Sequence, residues 1–389
     1  MLRNSGFDPS VLSGIDEAVE NAILHADAPG VVAAIATADA IHLAVAGAMS
    51  VGGNPMRRDT LFRITSMTKP MTAATILTLV EAGMLQLDAP VDALLPELAN
   101  RRVLRRPDGP LTETVPAERP ITTRDLLTFT WGFGMQGAMF LAEEPWPILA
   151  ATVQRELATF GPPQPATTPD PDTWMARLGE LPLLAQPGER WLYQSGAQVL
   201  GVLASRATGA PFAEVLRERL LAPLGMHNTA FYTTDTDRLA TAYAMRNGQI
   251  EVSDLPGGQW SRPPAFADGG AGLLSTVDDV VAFGRMLARG GSPVLSPSTV
   301  AEMTRNQLTE AQRTKVWPGF SFLDDRGWGF GVAVCDDGRY TWDGGFGTTW
   351  SNVPSRDLTV VVLTQRAFDE TGAPAVCNDV LSAVLSATA

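Results

Sequence analysis

Apolar residues in this chain gather in short runs near both ends and in longer, periodic stretches between them. The runs that predict β-strands are 31–37, 41–48, 328–334, 339–342, 349–353 and 358–364. Helical spacing predicts a first helix at 9–25 and a last one at 373–387. This order favours an α/β (α+β) fold. In it the N- and C-terminal strands form one antiparallel sheet, flanked by helices, around a mostly helical inserted subdomain.

The same pattern predicts how the chain divides. We expect residues 1–65 and 235–389 to form the α/β subdomain and residues 66–234 to form the mainly helical one, with the functional site at their junction. Two stretches without periodicity, 102–120 and the proline-rich 161–172, are predicted to be long loops. Loops of this length often frame binding sites.

The net charge of −13 narrows the classes of partner. So acidic a chain is not expected to bind nucleic acid or an anionic membrane surface. Its first residues lack the apolar segment of a signal peptide, and no apolar run approaches membrane-spanning length, so a cytoplasmic location is expected. The two cysteines, Cys335 and Cys377, are far apart in sequence and are expected to be reduced and buried.

Lysine is rare in this chain, and one lysine lies where a removable proton would matter. Lys69 and Lys315 are the two lysines among 29 lysines and arginines, and Lys69 follows Ser66 by three positions. A desolvated lysine can become neutral and act as a base, whereas an arginine stays charged. Residues three apart share a helix face, so Lys69 could activate the Ser66 hydroxyl as a nucleophile. The alternative is a solvent-facing lysine on an ordinary helix.

The surroundings of Ser66 favour the nucleophile. Residues 60–65 are predicted to be extended, and an apolar helix at 71–82, closed by Gly83, follows. Ser66 would open this helix, where unpaired amides and the helix dipole favour developing negative charge. A serine in this place is also a common N-cap, which is the competing interpretation.

Other kinds of catalytic site find no support in the sequence. It has no Gly-x-Ser-x-Gly motif, no clustered ligands for zinc and no glycine-rich nucleotide-binding motif. The three histidines, His25, His42 and His227, lack the neighbours of a triad base. No metal and no cofactor is expected, and a serine–lysine mechanism remains.

Two further segments carry candidate site residues. Tyr193 precedes an apolar helix predicted at 199–207, and a loop there can present its hydroxyl. Packing of its ring on the core is the alternative. The segment 342–350 lies between two predicted strands and contains Gly344, Gly345 and a third glycine. These let the backbone approach a ligand and free an amide for an oxyanion hole. A glycine-rich hairpin without function would explain the same residues.

In this order and spacing, three motifs resemble those of the serine β-lactamase/penicillin-binding-protein-like superfamily. They are Ser66-x-x-Lys69, Tyr193-x-Ser195 and Trp342-x-Gly344-Gly345. The most similar branch is the class C β-lactamase-like one that includes the family VIII carboxylesterases. Further stretches that resemble the family cover nearly the whole chain: 61–63, 83–91, 125–132, 223–226 and 269–276.

The resemblance implies a role for each residue. Ser66 would be the acylated nucleophile, and Lys69 would help to deprotonate it. Tyr193 would relay the proton to the leaving group and later activate the deacylating water. The backbone amides of Ser66 and Gly345 would form the oxyanion hole. The expected substrate-binding residues are Ser195, Trp342, Asp343, Gly344, Phe346, Trp131 and Phe133.

Departures from the family pattern point to the substrate. β-Lactamases usually have Lys-Thr-Gly, whose cation receives the substrate carboxylate, where this chain has Trp342-Asp343-Gly344. Without that cation, and with an acid beside the site, an anionic substrate would be repelled. Ser195 replaces the asparagine that would bind an acylamino group. We therefore expect a carboxylesterase that acts on short-chain or small esters, with weak β-lactamase activity as an open option.

Other functions stay open. An acyltransferase, in which an alcohol replaces water, would have the same motifs. A β-lactamase or D-aminopeptidase is disfavoured by the missing cation, and a non-catalytic penicillin-binding-like module would have no need for Ser66, Lys69 and Tyr193 together. We expect a small-molecule ester as the partner, a monomer or homodimer, and neither nucleic acid nor membrane binding.

Overall fold

The computed structural model describes residues 7–314, 323, 326–370 and 372–386. Its β-strands are β1 (Gly30–Ala36), β2 (Ile41–Gly47), β3 (Phe62–Arg63), β4 (Arg102–Leu104), β5 (Thr114–Pro116), β6 (Ala242–Arg246), β7 (Gln249–Asp254), β8 (Leu274–Ser275), β9 (Gly327–Trp328), β10 (Ala333–Val334), β11 (Tyr340–Gly344), β12 (Thr348–Val353) and β13 (Leu358–Thr364). Its α-helices are α1 (Pro9–Leu24), α2 (Thr68–Glu81), α3 (Thr123–Leu127), α4 (Ala138–Leu141), α5 (Pro147–Gln154), α6 (Pro171–Gly179), α7 (Ser195–Thr208), α8 (Phe212–Leu216), α9 (Val277–Ala288), α10 (Pro297–Met303), α11 (Glu310–Thr314) and α12 (Ala375–Ser386).

A single large sheet joins the two ends of the chain. Among the described residues it has seven strands in the order β2-β1-β13-β12-β11-β10-β9, and every neighbouring pair is antiparallel. The N-terminal hairpin joins the C-terminal strands through β1 and β13, where Val31 pairs with Thr364 and Ala36 with Thr359. The predicted fold class, with one antiparallel sheet built from both ends of the chain, is confirmed.

The sequence of β1 explains why this strand lies inside the sheet. All of its residues are buried. Val31, Ala33 and Ile35 face a core shared with α1 and α12, while Val32 and Ala34 face the main core on the other side. A strand covered on both faces carries a continuous apolar run instead of alternating apolar and polar residues. The strand β2, at the sheet edge, is mostly part-exposed.

Helices cover both faces of the sheet. The terminal helices α1 and α12 pack together on one face, and α9 packs on the other, against β13, β1 and β12. In the mainly helical part, α2 packs against α7 and the rings of Trp131 and Trp174 are fully buried. The exact boundaries between the two subdomains stay a prediction.

Three details differ from the predictions. The predicted strand 328–334 is two short strands, because Gly331 has a φ of +72° and the chain turns there, with the Gly329 N–H donating to the Val332 carbonyl. The predicted loop 102–120 contains the hairpin β4–β5. The hairpin β6–β7 was not predicted. Both hairpins lie outside the main sheet, and the largely exposed strand β7 carries no apolar run that would reveal it.

Two further predictions concern membranes and cysteines. Among the described residues no single helix is long and apolar enough to cross a bilayer. One pair of consecutive helical segments, Ser195–Thr208 and Phe212–Leu221, has the length and composition of a membrane span when taken together, but the two segments meet at an angle of 86°. Neither Cys335 nor Cys377 forms a disulfide, as predicted; Cys377 is buried, whereas Cys335 is only part-buried.

Candidate active site

Ser66 lies in a 3-10 turn, Thr65–Met67, between β3 and α2. The helix itself begins at Thr68, so the prediction that Ser66 opens the α-helix is off by one short turn. Pro70 lies in the first turn of α2, where its missing N–H costs no hydrogen bond because the N–H groups of that turn have no acceptor within the helix. Thr65 has a φ of +39°, a strained conformation for a β-branched residue. Strain of this kind often accompanies functional sites, and here it directly precedes the half-buried Ser66.

The strand that leads into this turn is firmly anchored. The buried guanidinium of Arg63 donates to the carboxylate of Asp254 and, at 2.6 Å, to the carbonyl of Ala240. After the turn, the Thr68 hydroxyl accepts a hydrogen bond from the N–H of Leu273. The backbone on both sides of Ser66 is therefore held by contacts far away in sequence.

Lys69 is positioned to act on Ser66. Its Nζ lies 2.8 Å from the Ser66 Oγ, as the spacing of three residues predicted, and it donates to the carbonyl of Gly270 at 2.7 Å. The side chain is 1% exposed. Burial lowers the pKa of Lys69 to about 7, and the negative charge of Asp268 opposes that shift. This lysine can therefore be neutral at the pH where an exposed lysine is charged.

Tyr193 completes the group around Ser66. Its backbone pairs with Met135 through hydrogen bonds of 2.8 and 2.9 Å. Its ring centroid lies 4.5 Å from the Lys69 Nζ, and its hydroxyl hydrogen-bonds Ser66. Burial raises the pKa of Tyr193, the charge of Asp343 raises it further, and hydrogen bonds oppose both. The phenol therefore stays protonated at neutral pH, as a proton donor.

Trp342 stands where the family pattern expects a cation. Its indole N–H donates to the Tyr193 hydroxyl at 3.1 Å. The same indole meets the ring of Trp328 edge-on at 4.7 Å, and Trp191 stacks on Tyr193 at 5.6 Å. These rings belong to one buried aromatic cluster with Phe129. Trp342 is thus a rigid neutral donor that fixes the orientation of the Tyr193 hydroxyl.

The end of β11 lies against the turn that carries Ser66. A Cβ on Gly344 would lie 2.2 Å from both the Ile64 carbonyl oxygen and the Thr348 Oγ1, so only glycine allows this approach. The Thr348 hydroxyl also donates to the Ile64 carbonyl at 3.3 Å. Gly345 follows immediately and is exposed, with open space around the position of a Cβ. The place of the Gly345 amide in an oxyanion hole stays a prediction.

This contrast between neighbouring glycines makes a prediction. Gly344→Ala is expected to push β11 away from the Ser66 turn. The expected losses are about 1–3 kcal/mol in the free energy of unfolding and on the order of 100-fold in kcat/KM for esters. Gly345→Ala, the matched control, is expected to keep kcat/KM within about fivefold, because an oxyanion hole uses only its N–H. Denaturant unfolding and ester kinetics measure both effects. Equal effects of the two substitutions would contradict this geometry.

Asp343 corrects one expectation. Adjacent strand residues point to opposite faces of a sheet, so Asp343 faces away from Trp342 and Tyr193. Its carboxyl lines a cavity of about 480 Å³ between the sheet and α12, together with Thr349 and Cys377. Burial raises the pKa of this carboxyl. The idea that Asp343 lies beside the substrate and repels its carboxylate is therefore wrong in its geometry.

Four other predicted substrate-binding residues lie in packed surroundings. Ser195 is fully buried, and its hydroxyl donates to the carbonyl of Phe133 at 2.7 Å. The rings of Trp131 and Phe133 are fully buried in the main core. Phe346 packs edge-on against Trp260 at 5.9 Å. None of these contacts is with Ser66, and a role of these four side chains in substrate binding stays a prediction.

Sequence reasoning missed Asp268. Its carboxylate accepts hydrogen bonds from the N–H of Gly270 at 2.6 Å and from the side chain of Gln198 at 3.2 Å. The glycine-rich stretch beside it, 269–276, resembles the family, but no local pattern shows that this stretch meets Lys69, about 200 positions earlier. Among the residues that the structure describes, no group of three or more His, Cys, Asp or Glu side chains could hold a metal ion.

Comparisons with known proteins bear on the family and the fold. The family model named Beta-lactamase matches residues 15–376. Protein Rv1367c of Mycobacterium tuberculosis is 38% identical over 82% of this chain and 80% of its own length. Esterase EstB of Burkholderia gladioli is 32% identical over 83% of this chain and 81% of its own. The solved structure of EstCE1, described as a hydrolase with promiscuous acyltransferase activity, superposes with a TM-score of 0.81 at 25% identity, covering 96% of this chain and 98% of that one.

These findings confirm the resemblance that the three motifs predicted, on the branch similar to family VIII carboxylesterases. They include both hydrolases and an enzyme with acyltransferase activity. The chain belongs to the Beta-lactamase family and is a serine hydrolase of that fold.

Proposed function

We propose that this protein is a carboxylesterase that cleaves small uncharged esters through an acyl-enzyme on Ser66. The observation that carries the proposal is the arrangement of Ser66, Lys69 and Tyr193 with the Trp342 indole bonded to the tyrosine hydroxyl. The name of the relative EstB, an esterase, supports the same reaction class.

In the first half of the proposed reaction, Ser66 is acylated. Neutral Lys69 accepts the hydroxyl proton as Oγ attacks the ester carbonyl carbon. The resulting oxyanion is stabilised by the backbone amides of Ser66 and Gly345. When the intermediate collapses, the bond to the alcohol breaks and Tyr193 gives its hydroxyl proton to the leaving oxygen. The proton held by Lys69 then restores the phenol.

In the second half, water removes the acyl group. After the first half, Lys69 is neutral again. A water near Tyr193 attacks the acyl carbonyl, and the proton of this water passes through the phenol to Lys69. The bond between the acyl carbon and the Ser66 Oγ breaks, and Lys69 gives its proton to the serine oxygen. The acid is released and the site returns to its starting state.

The proposed substrate class follows from charge. Trp342 supplies one neutral N–H where a β-lactamase would supply a cation for the substrate carboxylate. The aromatic cluster of Trp342, Trp328 and Tyr193 offers no charge to an anion. Desolvating a carboxylate without a partner is unfavourable, so a neutral acyl group is preferred over an anionic one.

An acyltransferase is the second candidate. The description of EstCE1 includes promiscuous acyltransferase activity, and its fold covers nearly the whole of this chain. In such a reaction an alcohol would take the place of water at the second step, with Tyr193 accepting its proton in the same way. The two functions share the acyl-enzyme and differ only in the acceptor.

A matched set of substrates tests the proposal. p-Nitrophenyl butyrate and mono-p-nitrophenyl succinate have acyl chains of the same length, but the second ends in a carboxylate. We expect kcat/KM to be at least about tenfold higher for the butyrate, and at least about 100-fold higher than for a chromogenic cephalosporin. A preference for the succinate or the cephalosporin would contradict the proposed substrate class.

Adding an alcohol separates the two candidate reactions. In an esterase, the fraction of butyrate transferred to 1-butanol is expected to stay small at millimolar alcohol, with butyric acid as the main product. A transferred fraction above one half at that concentration would replace the esterase by the acyltransferase. Intact-protein mass with peptide mapping is expected to place the transient acyl group on Ser66.

A further inference from the structure

Asp268 lies outside all three motifs, in the turn that precedes β8. Two groups of Asp268, its carboxylate and its main-chain carbonyl, accept hydrogen bonds from N–H groups of this turn. Its carboxylate accepts from the N–H of Gly270 at 2.6 Å, and its main-chain carbonyl accepts from the N–H of Gly272 at 2.9 Å. The second carboxylate oxygen accepts from the Nε2 of Gln198, a fully buried side chain on α7. The conformation of this turn therefore depends on the Asp268 side chain.

The turn holds the catalytic amine. The carbonyl of Gly270 accepts from the Lys69 Nζ at 2.7 Å, and the neighbouring carbonyl of Gly269 accepts from the Thr72 hydroxyl one turn further along α2. The Lys69 Nζ is thus fixed between the Gly270 carbonyl on one side and the Ser66 hydroxyl, at 2.8 Å, on the other. Any movement of the Gly270 carbonyl would move the amine relative to Ser66.

We propose that Asp268 is a positioning residue for Lys69: its carboxylate holds the Gly270 carbonyl that orients the amine, and its negative charge acts on the same amine. Only the kinetic consequences of this inference rest on the proposed function. The contacts among Asp268, Gly270 and Lys69 do not depend on which reaction the protein catalyses.

The electrostatics around Lys69 agree with this role. Burial lowers the pKa of Lys69 to about 7, and Asp268 is the charged group that raises it. Burial also raises the pKa of Asp268, opposed by the charge of Lys69 and by its N–H donors. Tyr193 packs its ring on the amine, and Asp343 acts on Tyr193 from the other face of the sheet. Among the described residues, the charge that acts on Lys69 is that of Asp268, the charge that acts on Asp268 is that of Lys69, and Tyr193 is the titratable group whose ring packs on the amine.

The sign of the charge effect follows. A nearby anion favours the protonated amine, so removing the charge of Asp268 lowers the pKa of Lys69. The neutral, base-competent form then persists to lower pH. The acid limb of the kcat/KM profile is therefore expected to move to lower pH, while a residue with a purely structural role would lower the plateau and leave the limb in place.

Asp268→Asn isolates the charge. Asparagine can still accept from the Gly270 N–H, and its amide can donate to the Gln198 Oε1, which has no hydrogen-bond partner among the described residues. We expect a plateau kcat/KM within about fivefold of wild type and an acid limb lower by about one pH unit. Asp268→Ala also removes the anchor of Gly270, and its plateau is expected to fall by at least about tenfold.

Asp279→Asn is the matched control. Asp279 is another buried carboxylate, on α9, and accepts from the N–H of Asn228 and the hydroxyl of Thr229 without contact to Lys69. The Asp279→Asn substitution is expected to leave the acid limb of the kcat/KM profile unchanged. An acid limb that stays in place in Asp268→Asn would overturn the charge role, and an unchanged plateau in Asp268→Ala would overturn the positioning role.

A second measurement does not depend on activity. Because the chain has two lysines, protein labelled with ¹³C at the lysine Cε gives two resonances, which Lys315→Arg assigns. The Lys69 resonance is expected to titrate near pH 7 in wild type, at lower pH in Asp268→Asn, and unchanged in Asp279→Asn. Identical titrations in wild type and Asp268→Asn would overturn the inference. The expected shift in a protein without esterase activity would support the inference and refute the proposed function instead.

Discussion

Ser66→Ala is expected to abolish ester cleavage and covalent labelling. The hydroxyl of Ser66 is the half-buried group between the Lys69 amine and the Tyr193 hydroxyl, and alanine leaves nothing for an acyl group to bond to. The loss of kcat/KM for p-nitrophenyl butyrate is expected to be on the order of 10⁴-fold or more. The intact mass after incubation with substrate should equal that of the untreated protein.

Ser195→Ala provides the matched control for this result. It removes the same atom from a serine two positions after Tyr193, but that hydroxyl donates to the Phe133 carbonyl inside the core. We expect it to keep the acyl adduct and kcat/KM within about tenfold. Its free energy of unfolding should fall by about 1–3 kcal/mol from the lost buried hydrogen bond. Labelling that survives in Ser66→Ala and vanishes in Ser195→Ala would refute the assignment of the nucleophile.

Lys69→Met has the second largest expected effect. Methionine nearly matches the length of the lysine and suits its buried position, but it cannot accept the Ser66 proton. We expect kcat to fall by about 10²–10⁴-fold, the usual contribution of a general base. The kcat of Lys69→Arg should fall by a similar factor, because an arginine stays charged and cannot accept the proton. In the wild-type enzyme, kcat/KM should rise with pH through about 7, where Lys69 loses its proton.

The same substitution has a testable effect on stability. Because the pKa of Lys69 is lowered to about 7 in the folded protein, the unfolded chain binds more protons between about pH 7 and the ordinary lysine value of 10.5. The stability of wild type relative to Lys69→Met should therefore rise with pH in that window and be flat below it. Thermal unfolding of both proteins at pH 6 and pH 9 measures the difference. A relative stability that falls with pH would contradict a lowered pKa.

Local patterns predicted those parts of the molecule that local physics controls. The apolar runs at 31–37 and 358–364 predicted strands, and the structure places these strands, β1 and β13, side by side inside the sheet. The spacing of Ser66 and Lys69 required one helical turn, and their contact of 2.8 Å follows from that turn. In both cases backbone geometry over a few residues decides the outcome.

Local patterns failed where a side chain's surroundings come from distant segments. Trp131 and Phe133 are aromatic and close to a motif, but only the packed core shows that their rings are fully buried. For Asp343, the alternation along β11 already implied that it and Trp342 lie on opposite faces, and the motif pattern obscured this. Nothing local to Asp268 points to Lys69.

The sequence by itself determined the fold class, the family and the three chemical groups of the candidate site, since motif spacing and apolar patterning are properties of the chain. Only the tertiary structure decided how these groups interact. The Trp342 indole meets the Tyr193 hydroxyl across 149 positions, and the Gly270 carbonyl meets the Lys69 amine across 201. The desolvation that lowers the pKa of Lys69 also exists only once the core has closed around it, because the pKa of a group depends on what surrounds it in space.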